Sequence, residues 1–170
     1  ENAKAFSVEG GYQNEDFIGF KEKRYAAGTS LKERYLLHRF EQGIIFDNSS
    51  TYDSSDPALF ATSDIFITSL QLGYTLDTRD VILEPSRGYF FNTQLLGSLK
   101  GSISEASYYK LKASGGYILP VGLTKLALRV TGGVLNTTDG QTPPSYRFFL
   151  GGMNSNRAYN YRELGAKDAE

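Results

Sequence analysis

The feature of this sequence that most constrains its fold is a regular alternation of apolar and polar residues, which returns five times. Tyrosine, phenylalanine, leucine or valine occupies nearly every second position in residues 5–13, 64–76, 88–100, 107–119 and 123–135. A period of two predicts β-strands with one apolar and one polar face. At about 9–13 residues, these runs are longer than most strands of soluble proteins and match the length that crosses a bilayer.

The two faces of these runs predict two different environments. If the strands cross a membrane, the apolar faces meet lipid and the polar faces line a lumen, because successive side chains point to opposite sides. We expect lipid contact for Leu70, Leu72, Leu95, Leu111, Leu126, Leu128 and Val130. We expect a lumen position for Lys110, Lys112, Lys125 and Arg129. Ile65 and Ile67 interrupt the otherwise polar face of their run.

Aromatic residues cluster near the predicted strand ends, where tyrosine can keep its ring in lipid and its hydroxyl in water. They are Tyr12, Tyr74, Tyr89, Phe90, Tyr108, Tyr109 and Tyr117. This placement favours two interfacial girdles over the alternative that these residues are simply good strand formers.

The region between residues 17 and 46 is less regular. Residues 17–20 and 35–40 predict two further strands, joined through the small residues at 26–30. By propensity, residues 32–41 could instead form a short helix. The neighbouring strands favour β-structure here, which brings the total to about seven strands.

The connections between the predicted strands differ in length. Residues 47–63 form a long acidic connection, and the stretch from Leu76 to Gly88 holds a charged turn, whereas residues 120–122 form a tight one. Long loops on one side and short turns on the other are typical of an outer-membrane barrel. Since four strands separate residues 47–63 from residues 140–170, both segments are expected on the same, extracellular side.

The composition excludes most enzymatic chemistry. The 170 residues contain no cysteine, and the only histidine is His38. We therefore expect no catalytic residues, no metal site and no cofactor, and the chain is not predicted to be an enzyme. A net charge of −1, from 18 basic and 19 acidic residues, gives no indication of nucleic-acid binding.

A strand-turn motif follows the run at 64–76. It comprises Asp77, Asp80, Pro85, Gly88 and Tyr89, in which a charged loop leads through a glycine into the next strand. An ordinary polar turn would have the same composition.

A loop motif lies near the end of the sequence. Gly151 and Gly152 follow the aromatic-rich residues 143–150, which predict a strand. A few residues later, Arg157, Ala158 and Tyr159 place an arginine among aromatic side chains. Composition alone would favour a solvated arginine in a surface loop.

In their order and spacing, the two motifs resemble the barrel domain of the outer-membrane assembly superfamily that includes BamA, TamA and the two-partner secretion transporters. The amino-acid sequence of residues 143–149 most resembles that of TamA-like members. By this resemblance, Arg157 corresponds to the arginine of the family that packs against acidic and aromatic residues of the inner barrel wall. Ala158 stands where the family has glycine, and Asn156 where it has an apolar residue.

The resemblance implies an all-β protein, an antiparallel up-and-down meander that forms part of a 16-stranded transmembrane β-barrel. Residues 1–170 would be a partial barrel domain, without the periplasmic POTRA repeats and the C-terminal strands. The implied function is assembly, insertion or translocation of other proteins in the bacterial outer membrane. The implied partners are outer-membrane lipids, client outer-membrane or secreted proteins, and periplasmic accessory proteins or POTRA repeats.

Three alternatives stay open at this point. The nearest is a two-partner secretion transporter, in which clients pass through the lumen. A simple porin-like channel would share the strand pattern. A soluble ligand-binding β-sandwich would bury the apolar faces against a second sheet.

Overall fold

The structure is a computed structural model that describes residues 2–17, 19–58 and 60–149. These residues form one antiparallel sheet whose strands follow in sequence order. The strands are β1 (Asn2–Phe17), β2 (Phe20–Tyr35), β3 (His38–Tyr52), β4 (Ser63–Asp77), β5 (Gly88–Ser98), β6 (Ser107–Val121) and β7 (Thr124–Asp139), followed by a 3-10 helix at Pro144–Tyr146. The predicted all-β meander of seven strands is confirmed. No helix among the described residues is long and apolar enough to cross a membrane.

The prediction for residues 17–46 is wrong in its boundaries. Residues 26–30 lie inside β2, where Ala26 to Ser30 pair with Asp47 to Gly43 of β3. Gly28 is needed there because a Cβ would lie 2.9 Å from the Ile44 carbonyl oxygen. The chain reverses instead at Leu36 and Leu37, inside the predicted strand 35–40, and no helix forms at 32–41.

Two other boundaries also change. The acidic connection expected at 47–63 is shortened to 53–62, because β3 continues as far as Tyr52. The strand expected at 143–150 is absent from the part of it that the structure describes, where Pro144–Tyr146 is a 3-10 helix. Proline explains the second change, since it lacks the amide hydrogen that a strand ladder needs.

One face of the sheet, here called the outer face, is mostly apolar, with polar exceptions such as Gln42 and the ion pair of Lys4 with Glu33. Its central row pairs neighbouring strands in the order Phe6, Leu31, Gln42, Leu72, Leu95, Leu111 and Val134. All seven residues expected to face lipid lie on this face, and Leu70 keeps 63% of its surface exposed. Within the described residues no second sheet covers them, which is contrary to the sandwich alternative.

Aromatic side chains border the outer face at both ends. One row contains Phe40, Tyr74, Phe91, Tyr89 and Tyr117, with ring centroids of Phe40 and Tyr74 5.2 Å apart. The other row contains Tyr12, Tyr25, Phe46, Phe66 and Tyr109. Phe90 and Tyr108 were expected in these girdles but lie on the opposite face, because each is one residue out of step with the outer positions.

The opposite face, here called the inner face, carries the polar side chains. Lys110, Lys112, Lys125 and Arg129 all lie on it, as expected. Ile65 and Ile67, which interrupt the polar pattern, are buried there with Ala106, Tyr108 and Tyr146. Their apolar character is thus explained by a small core on the inner face rather than by lipid.

The strands are staggered across the sheet. Leu31 of β2 and Leu111 of β6 belong to the same central row. However, β2 ends at Tyr35, four residues after Leu31, whereas β6 ends at Val121, ten residues after Leu111. This stepwise displacement is typical of strands inclined to a barrel axis, where the tilt is about 35–45°.

The two ends of the sheet carry different connections. The loop end, as we call it, has the short connection between Phe17 and Phe20, the connections 53–62 and 99–106, and the start of the segment 140–149. The turn end has the connections 36–37, 78–87 and 122–123. The prediction that the acidic loop and the segment after residue 140 share one end is therefore confirmed for the described residues.

The ladder between β4 and β5 is the shortest of the six. It pairs eight residues of β4, Leu70 to Asp77, whereas β1 and β2 pair along sixteen. The connection 99–106 borders the remaining part of β4: the Glu105 amide donates to the Phe66 carbonyl at 2.9 Å. The hydroxyl of Thr68 donates to the Ile103 carbonyl at 2.5 Å.

Candidate functional site

The inner face is partly covered by the residues that follow β7. This stretch, residues 140–149, is called the returning segment. It leaves the sheet at Gly140, where glycine is required because φ is +74° and because a Cβ would overlap the Glu105 carbonyl oxygen. Pro143 and Tyr146 are buried against the wall.

Three side chains, called the polar latch, fix the returning segment to the wall. The Tyr146 hydroxyl donates to Asp47 Oδ2 at 2.9 Å, and Arg24 Nε donates to the same oxygen at 2.6 Å. Asp47 is only 1% exposed. The Arg24 guanidinium also lies over the Tyr146 ring, 5.5 Å from its centroid. Burial and the neighbouring Asp47 raise the pKa of Tyr146, so the hydroxyl stays protonated and can donate.

Strand β6 holds the same tyrosine from the other side. Lys110 Nζ donates to the Tyr146 carbonyl at 2.6 Å, and the Tyr108 ring meets the Tyr146 ring edge-on at 5.3 Å. Ser69 and Tyr108 share a buried hydrogen bond of 2.6 Å. Tyr146 thus contacts β2, β3 and β6, which would span about 19 Å in a flat sheet. This reach indicates that the sheet curls around the returning segment.

The rest of the segment is held by aromatic contacts. Phe148 lies over Gly133, where a Cβ would come within 2.5 Å of the ring, and Lys110 Nζ is 4.9 Å from the Phe148 centroid. Arg147 stacks on Phe60 at 5.4 Å. The inner face therefore presents a built binding surface for the chain's own segment.

The strand-turn motif forms a second ordered feature, at the turn end. Asp77 binds the Arg79 guanidinium through both carboxylate oxygens, at 2.9 and 2.6 Å. Arg79 in turn covers the Phe90 ring at 4.9 Å. Lys125 of β7 donates to the Pro85 carbonyl at 3.3 Å, so the turn leans over the inner side of the rim.

Asp80 organises the interior of this turn. Its Oδ1 accepts from the amides of Ser86 at 2.9 Å, Val81 at 3.0 Å and Arg87 at 3.3 Å. These hydrogen bonds, that of Ser86 above all, hold the pKa of Asp80 below its usual range. Because the folded pKa is lowered, the contribution of this carboxylate to stability is present above the unfolded pKa and is lost as the pH falls through the folded value.

The turn joins Asp77, Asp80, Pro85, Gly88 and Tyr89 as the sequence suggested. The Thr78 hydroxyl accepts from the Tyr89 amide at 2.9 Å, which places Gly88 in a left-handed conformation with φ of +116°. A Cβ on Gly88 would lie 2.7 Å from the Thr78 carbonyl oxygen. Glycine is thus required at this position for two independent reasons.

Replacing Gly88 with alanine is expected to lower the free energy of unfolding by roughly 1–3 kcal/mol, since the left-handed conformation and the backbone contact both oppose a side chain. Denaturant unfolding of the full-length protein measures this loss. Gly132→Ala is the matched control, because nothing lies within 4 Å of a Cβ there. An equal effect at both positions would contradict the argument.

The residues of the predicted loop motif lie outside the described residues. They are Gly151, Gly152, Arg157, Ala158 and Tyr159, and their roles stay predictions. The sequence analysis placed Asp47 in the acidic connection and Tyr146 in the aromatic-rich stretch 143–150, and it did not bring these two residues together with Arg24. One signal in the sequence could have located Asp47. It occupies the same alternate positions as Ile45 and Ser49, so the strand pattern continues through residue 47, which we expected to begin a loop.

The comparison with known protein families agrees with this arrangement. The family model for the Omp85 superfamily domain matches residues 2–170. The chain belongs to the Omp85 superfamily. A search of curated proteins found no match.

Omp85 proteins are typically outer-membrane proteins that act in protein insertion or secretion. The seven-stranded open sheet described above is consistent with part of an Omp85 barrel.

Proposed function

We propose that this chain forms part of the barrel of a TamA-like Omp85 protein that folds and inserts client proteins in the bacterial outer membrane. The observation that carries the proposal is the returning segment, which is fixed to the inner wall by Tyr146 and Phe148. An inner face partly covered by the chain's own segment favours an assembly factor over a simple porin-like channel, whose lumen has to stay open for solutes.

The outer face and the sheet edges support the membrane part of the proposal. A face of exposed leucines between two aromatic rows fits the lipid-facing wall of an outer-membrane barrel. Among the described residues, β1 and β7 each pair with one neighbouring strand only, and an edge left unpaired in lipid is not tolerated by the bilayer. A barrel of 16 strands, as the superfamily resemblance implies, would leave no such edge.

The proposed orientation places the loop end outside the cell and the turn end in the periplasm, because the shorter turns of such barrels lie on the periplasmic side. Clients would be recognised by strand addition at a weakly closed seam, without a chemical reaction. The proposed partners are outer-membrane lipids, client proteins, and periplasmic accessory proteins or POTRA repeats. Neither catalytic residues nor a cofactor is part of this proposal.

Replacing Arg157 with alanine in the full-length protein is expected to impair client assembly more than replacing Arg162. An arginine packed into a barrel lumen must find acceptors or aromatic faces, because an unpaired buried charge is costly. The measurement is the yield of folded client barrels in vesicles that contain the reconstituted protein. Arg162→Ala is the matched control, with the same loss of charge five residues away.

Three outcomes would contradict the proposal in different ways. Equal effects of the two substitutions, or none, would make Arg157 an ordinary loop residue. Export of a soluble client without any barrel folding would favour the two-partner secretion transporter. Steady conductance to small solutes without either activity would favour a porin-like channel.

A further inference from the structure

Two acidic side chains stand opposite each other on the inner face, close to the loop end. Glu15 of β1 and Glu22 of β2 are direct cross-strand partners, and both lie on the same face as Arg24. Like charges placed directly opposite each other destabilise a sheet unless another group offsets them. The Arg24 guanidinium is a neighbour of this pair, but its charge is shared with Asp47, to which it is bound. The opposed carboxylates, which the proposed function does not use, therefore need a separate explanation.

A small cavity adjoins this pair of carboxylates. Its volume is about 40 Å³, and it is lined by Gln13, Glu15, Phe17, Glu22, Arg24 and Ser145. Strands β1 and β2 and the returning segment thus contribute oxygen-bearing side chains to one enclosed space. Since a cavity of roughly 10–15 Å³ holds one water molecule, this space accommodates a small ion with one or two waters and excludes an organic ligand.

Glu22 provides the observation that points to a ligand in the cavity. The residue is only 3% exposed, and its Oε2 atom has no hydrogen-bond partner among the described residues. The hydroxyl oxygens of Ser49 and Ser145, which lie near this carboxyl, are also buried without a hydrogen-bond partner there. A carboxylate that is removed from water is costly unless a partner compensates its charge. The carboxyl of Glu22 therefore requires either a proton or a cation.

The oxygen atoms that line the cavity determine which kind of cation would fit. Carboxylate, amide and hydroxyl oxygens are ligands of hard cations such as Ca²⁺, which need neither histidine nor cysteine. Ca²⁺ also tolerates irregular geometry and retains water ligands, which suits oxygens that come from three separate segments. Within the described residues, no group of three or more acidic, histidine or cysteine side chains could hold a metal ion. A site with two carboxylates is therefore expected to be weak, with a Kd of about 10⁻⁴–10⁻³ M.

We propose that Glu15 and Glu22 bind a single Ca²⁺ ion in this cavity, with the side chains of Gln13 and Ser145 and with water as further oxygen ligands. The two positive charges of the ion offset the two opposed carboxylates. Because Ser145 belongs to the returning segment, the ion ties that segment to β1 and β2, in addition to the contacts of the polar latch. The site does not depend on the proposed function, since it is formed by residues of this chain alone.

The test measures Ca²⁺ binding to the full-length protein in a neutral detergent, by calorimetric titration and by denaturant unfolding at increasing CaCl₂ concentration. We expect one ion per chain, and an unfolding midpoint that rises once the Ca²⁺ concentration exceeds the Kd, because the ion binds the folded site. Glu15→Gln and Glu22→Gln keep the size of the side chain and should each weaken binding at least about tenfold. Glu9→Gln is the matched control, since Glu9 lies on the same face of β1 with its side chain 75% exposed.

Four results would overturn the Ca²⁺ site. An equal rise of the midpoint in NaCl of the same ionic strength would mean that salt only screens the two carboxylates. An equal loss of binding in Glu9→Gln would indicate diffuse association with the surface. Binding that is lost in Glu15→Gln but unchanged in Glu22→Gln would place the ion outside the cavity. The absence of binding, together with a midpoint that rises on acidification, would assign a shared proton to the pair instead.

Discussion

Asp47→Ala is expected to lower the free energy of unfolding of the full-length protein by about 3–5 kcal/mol. The substitution removes the shared acceptor of the polar latch, so the Arg24 guanidinium loses its partner and the Tyr146 hydroxyl loses its acceptor. Because Asp47 is 1% exposed, water cannot easily replace the carboxylate. Denaturant unfolding in micelles or vesicles measures the change.

The control for this experiment is Asp139→Ala. Asp139 also pairs with a basic residue, Lys100, at 3.0 Å, but the two side chains are 60% and 48% exposed. Exposed pairs of this kind contribute less than about 1 kcal/mol. If the two substitutions cost the same, the polar latch would not be what fixes the returning segment to the wall. Tyr146→Phe should show an intermediate loss of about 0.5–1.5 kcal/mol.

Leu70→Arg is expected to destabilise the inserted protein by about 2–4 kcal/mol. Leu70 lies four residues from both Phe66 and Tyr74, which belong to the two aromatic rows, and therefore in the middle of the apolar band. Leu128 is less suitable for this test, because it pairs with Tyr117 in the aromatic row. Charged substitutions cost less near the interface than at the bilayer centre.

The neighbouring residue provides the control for Leu70→Arg. Gln71 lies on the inner face of β4, at almost the same depth. Gln71→Arg should cost much less, since its side chain meets the polar lumen. Unfolding in lipid vesicles measures both variants, and equal costs would show that the outer face does not contact lipid.

The alternation of residue types predicted the strand face of most residues, and Phe90 and Tyr108, which were expected in the outer girdles, are the exceptions. Leu70 and Lys110 lie on the faces expected from their runs. Side chains of a strand alternate between the two faces, so the register of the strand fixes the face of every residue. Tyr108 and the buried Ile65 pack with Tyr146 of the returning segment, and Phe90 lies under the Arg79 guanidinium. A local pattern contains no information about a segment that packs on it from elsewhere in the chain.

The same distinction separates the two parts of the candidate site. The turn from Asp77 to Tyr89 is built from neighbouring residues, so its residues could be identified from sequence. The hydrogen bond between Asp47 and Tyr146 joins positions 99 residues apart, and no spacing rule relates them. The turn at Leu36 was missed for another reason, since leucine is a poor indicator of a left-handed backbone.

The short ladder between β4 and β5 gives the wall a preferred line of mechanical failure. Separating two neighbouring strands within the plane of the sheet requires all the hydrogen bonds of their ladder to break. The ladder between β4 and β5 pairs eight residues of each strand, whereas the other ladders pair eleven to sixteen, so the fewest hydrogen bonds have to break between β4 and β5. On the loop-end side of Leu70, β4 is bordered by the connection 99–106 rather than by a strand. Bilayer tension or a client wedged against the wall would therefore part these two strands first. Amide hydrogens that β4 directs toward β5 should accordingly exchange with solvent before those it directs toward β3.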